Sequence, residues 1–333
     1  MPNQDVAEDG PLGNLTGAVS HRPASPAEPS AGPRISVVVN TLNEEKNLPY
    51  ALRSVRQWAD EIVVVDMQSK DRTIEIARDF GARVYAHRRE GCVEPARAYA
   101  VSQARGPWIL LLDADEIVPR PLSLRLREIA ASNEADVALL PKVNYLLGAP
   151  LAHTGWGPGQ YLHPLFFKLG FVEMSGKIHN FAAVSRSARV LRLRHDGDNA
   201  IIHFNYLDCS HFLEKLNRYT TVEAEQAAAR GARPSAARAI YLAGRELARL
   251  YVRHGGYRDG WRGFYLSCFM ASYRIAAQAK LQEMHSCGDR ATVEEGYRLV
   301  AEKALSEYDQ WPTWAPGSKP GNAERTDPRC PHT

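Results

Sequence analysis

The chain has 333 residues, 44% of them hydrophobic, enough to bury one large core or two modest ones without disulfide or metal staples. Its 41 Lys and Arg against 38 Asp and Glu leave a formal charge of +3, too near balance for a dedicated nucleic-acid binder. Cys92, Cys209, Cys268, Cys287 and Cys330 form an odd set without a C-x-x-C pair, which argues against a disulfide framework or zinc cluster and for a reducing cytoplasm.

Residues 1–33 are rich in Pro, Ala, Ser and Gly, with neither a charged n-region nor an apolar h-region. They read as a disordered tail rather than a secretory signal, and 312–333 reads the same way. Between them lie three all-apolar runs, each ending in polar side chains: Val37-Val38-Val39 into Asn40-Thr41, Val63-Val64-Val65 into Asp66, and Leu110-Leu111-Leu112 into Asp113-Ala114-Asp115. Continuous Val, Leu and Ile without polar alternation is the pattern of parallel strands covered on both faces. In such a sheet the ligand crevice lies at the carboxyl ends, so Thr41, Asp66, Asp113 and Asp115 fall on one rim.

Leu48, Ala51, Leu52 and Val55 make the apolar stripe of a helix between the first two strands. A second helix follows Asp71, with Glu75 in its first turn and Gly81 as its stop, then a short strand over 83–86. Residues 94–104 read as an Ala-rich helix broken by Gly106-Pro107, 122–131 as another helix and 137–140 as a strand. The alternation predicts an α/β fold. From Gly148 to Lys168 the chain turns aromatic and Gly/Pro-punctuated, which predicts a long shaped loop. Helices are then expected over 208–229, 235–254 and 259–283. The last has an uncharged core, 263–273, far short of the ~20 residues needed to cross a bilayer. Six arginines (Arg245, Arg249, Arg253, Arg258, Arg262, Arg274) beside Trp261, Phe264, Tyr265 and Phe269 suit either a helix lying in a headgroup layer or a core helix with a solvated face.

Asp113 and Asp115 place two carboxylates, one residue apart, at the end of a buried strand. Mg²⁺ and Mn²⁺ take oxygen ligands, and magnesium sites use one or two protein carboxylates plus substrate phosphates. The pair fits an ion bridging a nucleoside diphosphate, or alternatively a cap for the next helix. Asp66 is an acceptor for a base or ribose, or an Asx turn with Ser69 or Asp71. Thr41, Asn43 and Glu44 occupy the first strand-to-helix turn, where caps are also expected. Neither G-x-G-x-x-G nor G-x-x-x-x-G-K-[ST] is present, so diphosphate binding would depend on metal and side chains, with Arg97 a cationic partner.

The series Ser36-Val37-Val38-Val39-Asn40-Thr41-Leu42-Asn43-Glu44-Glu45, Val65-Asp66 with Ser69-Lys70-Asp71-Arg72-Thr73, and Leu112-Asp113-Ala114-Asp115-Glu116 resembles the glycosyltransferase family 2 domain of GT-A fold. Gly155-Trp156-Gly157-Pro158, Leu165-Phe166-Phe167-Lys168, His203-Phe204-Asn205-Tyr206, Glu214-Lys215-Leu216-Asn217-Arg218-Tyr219 and Asp259-Gly260-Trp261-Arg262-Gly263-Phe264 are similar to its lipopolysaccharide-core β-glucosyltransferase branch. The resemblance implies a Rossmann-like, mostly parallel sheet over 34–206 with helices on both faces, then a helical, membrane-interfacial region over 207–311. It implies an inverting transfer from a nucleotide-sugar donor to a lipid-linked or cell-envelope glycan at the cytoplasmic membrane face. Thr41, Asn43, Glu44, Asp66, Arg97 and Asp113 would hold the nucleotide, and Asp115 with Asp113 a divalent Mg²⁺ or Mn²⁺.

The chain departs from that branch where Pro-Asp and His-Glu are common, reading Pro158-Gly159-Gln160 and His179-Asn180 instead. Glu173 and His179 are then the candidate bases, ahead of Asp196 and Asp198. The missing carboxylates also motivate a second reading, a non-catalytic nucleotide-sugar-binding or scaffold protein. A sugar-1-phosphate nucleotidyltransferase ranks third, for want of a Gly-rich phosphate loop.

Overall fold

The computed structural model describes residues 34–89, 94–174 and 182–309. The expected tails and the candidate base His179 lie outside them.

Strands β1 (Ile35–Thr41), β2 (Glu61–Asp66), β3 (Arg83–Ala86) and β4 (Trp108–Asp113) run parallel, linked by helices α1 (Leu48–Val55), α2 (Thr73–Asp79) and α3 (Glu94–Ser102). The register sets Thr41 beside Asp66 and Asn40 beside Asp113, which brings the three strand ends to one edge. Both faces are covered: Val37, Val39, Val63, Val64 and Leu110 have no exposed surface. Truncating Leu110 to Ala in so dense a core costs about 2–5 kcal/mol.

After β4 the chain makes a two-residue strand β5 (Glu116–Ile117), helix α4 (Arg120–Ser132) and β6 (Val137–Leu140). It continues through β7 (Lys142–Leu146), β8 (Ala149–Pro150), β9 (His163–Lys168), the β10 (Val172–Met174) and β11 (Ala182–Val184) ribbon, β12 (Val190–Arg192) and β13 (Ile201–Tyr206). The main sheet has seven strands in the order β12-β6-β9-β4-β1-β2-β3, and a four-stranded sheet runs β5-β13-β7-β8. The Asp113-Ala114-Asp115 turn is the passage from β4 in the first sheet to β5 in the second.

The structure corrects the expected loop over 148–168. His163–Lys168 is an interior strand, antiparallel to both β4 and β6, so the sheet is mixed. Leu165, Phe166 and Phe167 are all buried, and Phe166 stacks on Trp108 with ring centroids 4.6 Å apart. This is another strand sealed on both faces, short enough for its Gly- and Pro-rich approach to hide it.

Helices α5 (Cys209–Ala229), α6 (Ala236–Leu247), α7 (Gly260–Ser286) and α8 (Arg290–Asp309) complete the described chain. Ser235 caps α6 by accepting from the Arg238 amide, and Asp208 caps α5 by accepting from the His211 amide. The single helix expected over 235–254 is instead α6 followed by a π-helical turn, Ala248–Arg253, and a 3₁₀ turn, Gly256–Asp259. Gly255 enters that turn at φ 71°, a left-handed conformation that glycine adopts without penalty. A Cβ on Gly263 would collide with the Gly256 carbonyl, so glycine there lets α7 start hard against the turn. No helix among the described residues is long and apolar enough to cross a membrane.

Candidate active site

A cleft of about 380 Å³ opens where β1 and β4 end, walled by Asn40, Leu42, Glu44, Arg97, Asp113, Asp115 and His203 and, on the other side, by α5. His211, Lys215, Arg218 and Tyr219 recur at i, i+4, i+7 and i+8, which turns one face of that helix to the cleft. A second cleft of about 460 Å³ shares Arg97, Asp113, His203, Asn205 and Tyr219 with the first and extends past Lys142, Asn144, His163, Trp156 and Tyr161 to Arg249 and Met270. The two chambers therefore meet at Asp113 and His203.

Asp113 accepts from Arg97 Nη2 at 2.6 Å, and its amide donates to Glu116 Oε2 at 3.0 Å. Burial opposes ionisation of Asp113, but the charges of Arg97, Lys142 and His203 outweigh it and hold the carboxyl well below its usual range. Glu116 is buried, and its other oxygen takes the ammonium of Lys142, a residue of the second chamber's lining.

Asp115 faces His203, with Oδ2 3.6 Å from the ring Nε2. The register of β13 explains the rest of that histidine's environment, pairing His203 with Glu116 on one side and Asn144 on the other. Asn144 Nδ2 donates to the Trp156 carbonyl at 2.8 Å, which leaves its Oδ1 to accept from His203 Nδ1, also at 2.8 Å. In the neutral ring the proton is therefore on Nδ1 and a lone pair on Nε2. A carboxylate oxygen and an imidazole lone pair facing one another suit a shared cation, and hard divalent ions accept such O/N sets. No cluster of three His, Cys, Asp or Glu side chains able to hold a metal is present among the described residues, so further ligands would have to come from substrate oxygens or water.

Of the other expected nucleotide contacts, Glu44 and Arg97 line the cleft; Thr41 and Asp66 are buried beside it and Asn43 is exposed next to it, none of the three among its lining residues. Asp66 is 1% exposed; Oδ1 accepts from the hydroxyls of Thr41 and Ser69, and Oδ2 from the Ser69 amide at 2.8 Å. This is the Asx-turn alternative, and it braces the end of β2 against β1. Asn43, at φ 57°, accepts from the Lys70 amide and donates its own amide to Ser69 Oγ. These bonds fasten the β1–α1 turn to the turn after β2. Burial pushes the Glu44 carboxyl up and the Lys215 ammonium down. Asn40 Nδ2 is buried at the cleft wall without an acceptor among the described residues, a donor available to a ligand.

Glu173 is not brought to the cleft. On β10, strand alternation buries Val172 and turns Glu173 to solvent, and it lines neither chamber. Asp196 and Asp198 line neither chamber either. His203, Asn144 and Lys142 gained no role from sequence reasoning, although His203 and Lys215 stand inside motifs that carried the resemblance. His163 also faces the second chamber; burial, then the charges of Lys142 and His203, lower its pKa to about 3 and keep its ring neutral.

The departure at Gln160 is structural, while that at His179-Asn180 lies outside the described residues. Gln160 Oε1 accepts from the amides of Gly155 and Gly157, and its Nε2 donates to the His254 carbonyl. Asp259 accepts from the amides of Ala152 and His153 and from the Thr154 hydroxyl. Thus the loop over the second chamber is tied at both ends to the turn between α6 and α7.

Residues 36–190 match the sequence profile of Glycosyl transferase family 2. That segment, a little under half of the chain, is similar to glycosyl transferase family 2. Relatives extend the match beyond that domain: a lipopolysaccharide core biosynthesis glycosyltransferase, LpsC, of Rhizobium meliloti is 28% identical over 78% of this chain and 96% of its own length. An uncharacterized glycosyltransferase of Rickettsia bellii is 25% identical over 75% of this chain and 87% of its own. Among solved structures, S. aureus TarS is 18% identical at a TM-score of 0.39, covering 57% of this chain and 39% of that one. Glucosyl-3-phosphoglycerate synthase from Mycobacterium tuberculosis, in complex with Mg²⁺ and uridine diphosphate, is 25% identical at a TM-score of 0.29, covering 34% of this chain and 44% of that one. The chain is a glycosyltransferase, and its mostly parallel central sheet and helical C-terminal region are the architecture expected of a GT-A fold.

Proposed function

We propose that this glycosyltransferase moves a sugar, with inversion, from a nucleoside diphosphate donor to a lipid-linked saccharide of the cell envelope, of the lipopolysaccharide-core class, at the cytoplasmic face of a membrane. The observation that carries the reading is the facing of Asp115 Oδ2 and His203 Nε2 at the junction of two chambers, beside the Arg97–Asp113 ion pair. The acceptor class draws on the name of the Rhizobium relative, which matches the chain outside the family 2 domain as well as within it.

Asp115 and His203 would hold Mg²⁺ or Mn²⁺ together with diphosphate oxygens, with Asp113 paired to Arg97 beside them, and such an ion would neutralise charge on the departing diphosphate. Arg97, Lys215 and Arg218 add fixed positive charge around that diphosphate. Asn40 Nδ2 donates to the nucleotide from the end of β1. In the second chamber Trp156 and Tyr161 offer flat apolar surface for a sugar ring, and neutral His163 exchanges a hydrogen bond with a hydroxyl. As the bond from the anomeric carbon to the diphosphate breaks, the acceptor oxygen attacks from the opposite face and its proton passes to a base. His179 is retained as that base.

The deciding assay offers UDP-, GDP-, ADP- and dTDP-sugars with Mn²⁺ or Mg²⁺ and a lipid-linked core acceptor, and measures nucleoside diphosphate release. One donor should turn over, with loss on chelation and in His179→Gln. Donor binding without turnover under every combination would favour the non-catalytic reading.

A further inference from the structure

The hairpin formed by α6, the turns after it and the start of α7 leaves large side chains in solvent: Trp261 is 52% exposed, Tyr257 59%, Tyr265 50% and Phe264 45%. They are contiguous. Tyr251 meets Tyr257 and Phe264 edge-on, Phe264 meets Tyr265, and Tyr265 meets Trp261, with centroids 5.3–6.5 Å apart. Val252 extends the patch. Soluble surfaces carry scattered apolar residues, but a continuous aromatic patch indicates a partner.

Charge identifies the partner. Over residues 236–274 there are seven arginines and two acids, and both acids point inward. Glu246 is 2% exposed and ion-paired with Arg249 and Arg274, while Asp259 is spent on the loop at 152–154. Arg253 and Arg258 are exposed beside Val252 and Tyr257, and the Arg262 guanidinium lies over the Trp261 ring at 4.6 Å. The outward charge of this face is therefore wholly positive and interleaved with Trp and Tyr, side chains that suit the level where apolar tails meet headgroups.

We propose that this face docks on the headgroup layer of an anionic bilayer, with Trp261, Phe264 and Tyr265 inserted and Arg253 and Arg258 on lipid phosphates. The loop over the second chamber is tied to the same turn by Asp259 and Gln160, so docking would set the acceptor chamber beside the membrane. That consequence rests on the lipid-linked acceptor reading; the docking itself does not.

The test is sedimentation of the full chain with vesicles, in the absence of donor and acceptor. Vesicles of phosphatidylcholine with about one third phosphatidylglycerol should carry the protein down and neutral phosphatidylcholine vesicles should not, with binding weakened by added salt. Trp261→Ser with Phe264→Ser, and separately Arg253→Glu with Arg258→Glu, should each weaken binding about tenfold or more, while unfolding midpoints stay with the parent. The proposal is overturned if anionic vesicles leave the protein in solution, or if both variants sediment as the parent does. A dimer in solution that Trp261→Ser converts to monomer, without vesicle binding, would assign the patch to self-association. Since no substrate is present, failure here removes the docking face and leaves the proposed transfer reaction standing.

Discussion

Asp115 Oδ2 and His203 Nε2 face one another at 3.6 Å across the junction of the two chambers, one at the passage between the sheets and the other on β13. The Phe204 amide donates to the Asp115 carbonyl, so the two backbones are locked together. A cation between them would be lost with either side chain. Asp115→Ala and His203→Ala should each lower kcat by about a hundredfold or more, as expected where a metal supplies several kcal/mol of charge stabilisation. Calorimetric titration of Mn²⁺ in the presence of nucleoside diphosphate should show the same loss. Unchanged turnover in Asp115→Ala would remove the cation from the mechanism.

Asn144 touches the proposed ion only through His203, and so separates orientation from ligation. Asn144→Leu removes the acceptor that holds the proton on Nδ1, and the apparent Mn²⁺ affinity should fall about 10–100-fold. Asn144→Asp keeps an acceptor for Nδ1 but cannot donate to the Trp156 carbonyl. It should retain metal affinity while raising the acceptor KM, because the loop over the second chamber loosens. The two variants moving together in both constants would contradict this division of labour.

What the sequence makes legible is local. Asp113 and Asp115 stand out because a sealed apolar strand announces where it ends, and the rim of a parallel sheet follows from that ending. Asp66 satisfies the same rule and also forms the Asx turn, since Thr41 and Ser69 stand within hydrogen-bond reach of its carboxylate. His203 needs a partner 59 residues away, and the pairing of β13 with β7 that supplies it leaves no periodic trace in either segment. Interior strand β9 is legible only through Leu165-Phe166-Phe167, because the Gly- and Pro-rich approach looks like loop. Glu173 fails on register, one position out of phase with the buried face of its strand.

Asp259 reaches back more than a hundred residues to hold the amides of Ala152 and His153 and the Thr154 hydroxyl. Asp259→Ala strands those donors at the edge of the second chamber, and losing one partner of such bonds costs about 1–3 kcal/mol. A lower melting temperature is expected, together with an acceptor KM raised several-fold and donor affinity unchanged, since none of these groups lines the nucleotide chamber. Gln160→Ala should act in the same direction through Gly155, Gly157 and His254. Equal loss of donor and acceptor affinity would mean that the two chambers are not separable.

His163 gives the fold an acid-side dependence whose sign follows from its surroundings. Burial and the charges of Lys142, His203 and Arg97 disfavour the imidazolium and outweigh Asp113, which favours it, so the pKa falls to about 3. An unfolded histidine titrates near 6.5, so between about pH 6.5 and 3 the unfolded chain binds a proton that the native chain does not. Stability is therefore full above about pH 6.5 and declines as pH falls, with a slope from this residue of at most ~1.4 kcal/mol per pH unit. Urea unfolding of His163→Gln between about pH 7 and 5 should show a shallower decline than the parent, because glutamine carries no such proton. Parallel curves for the two proteins would mean that the ring protonates in the native state, and that a cation, not a neutral imidazole, faces the acceptor chamber.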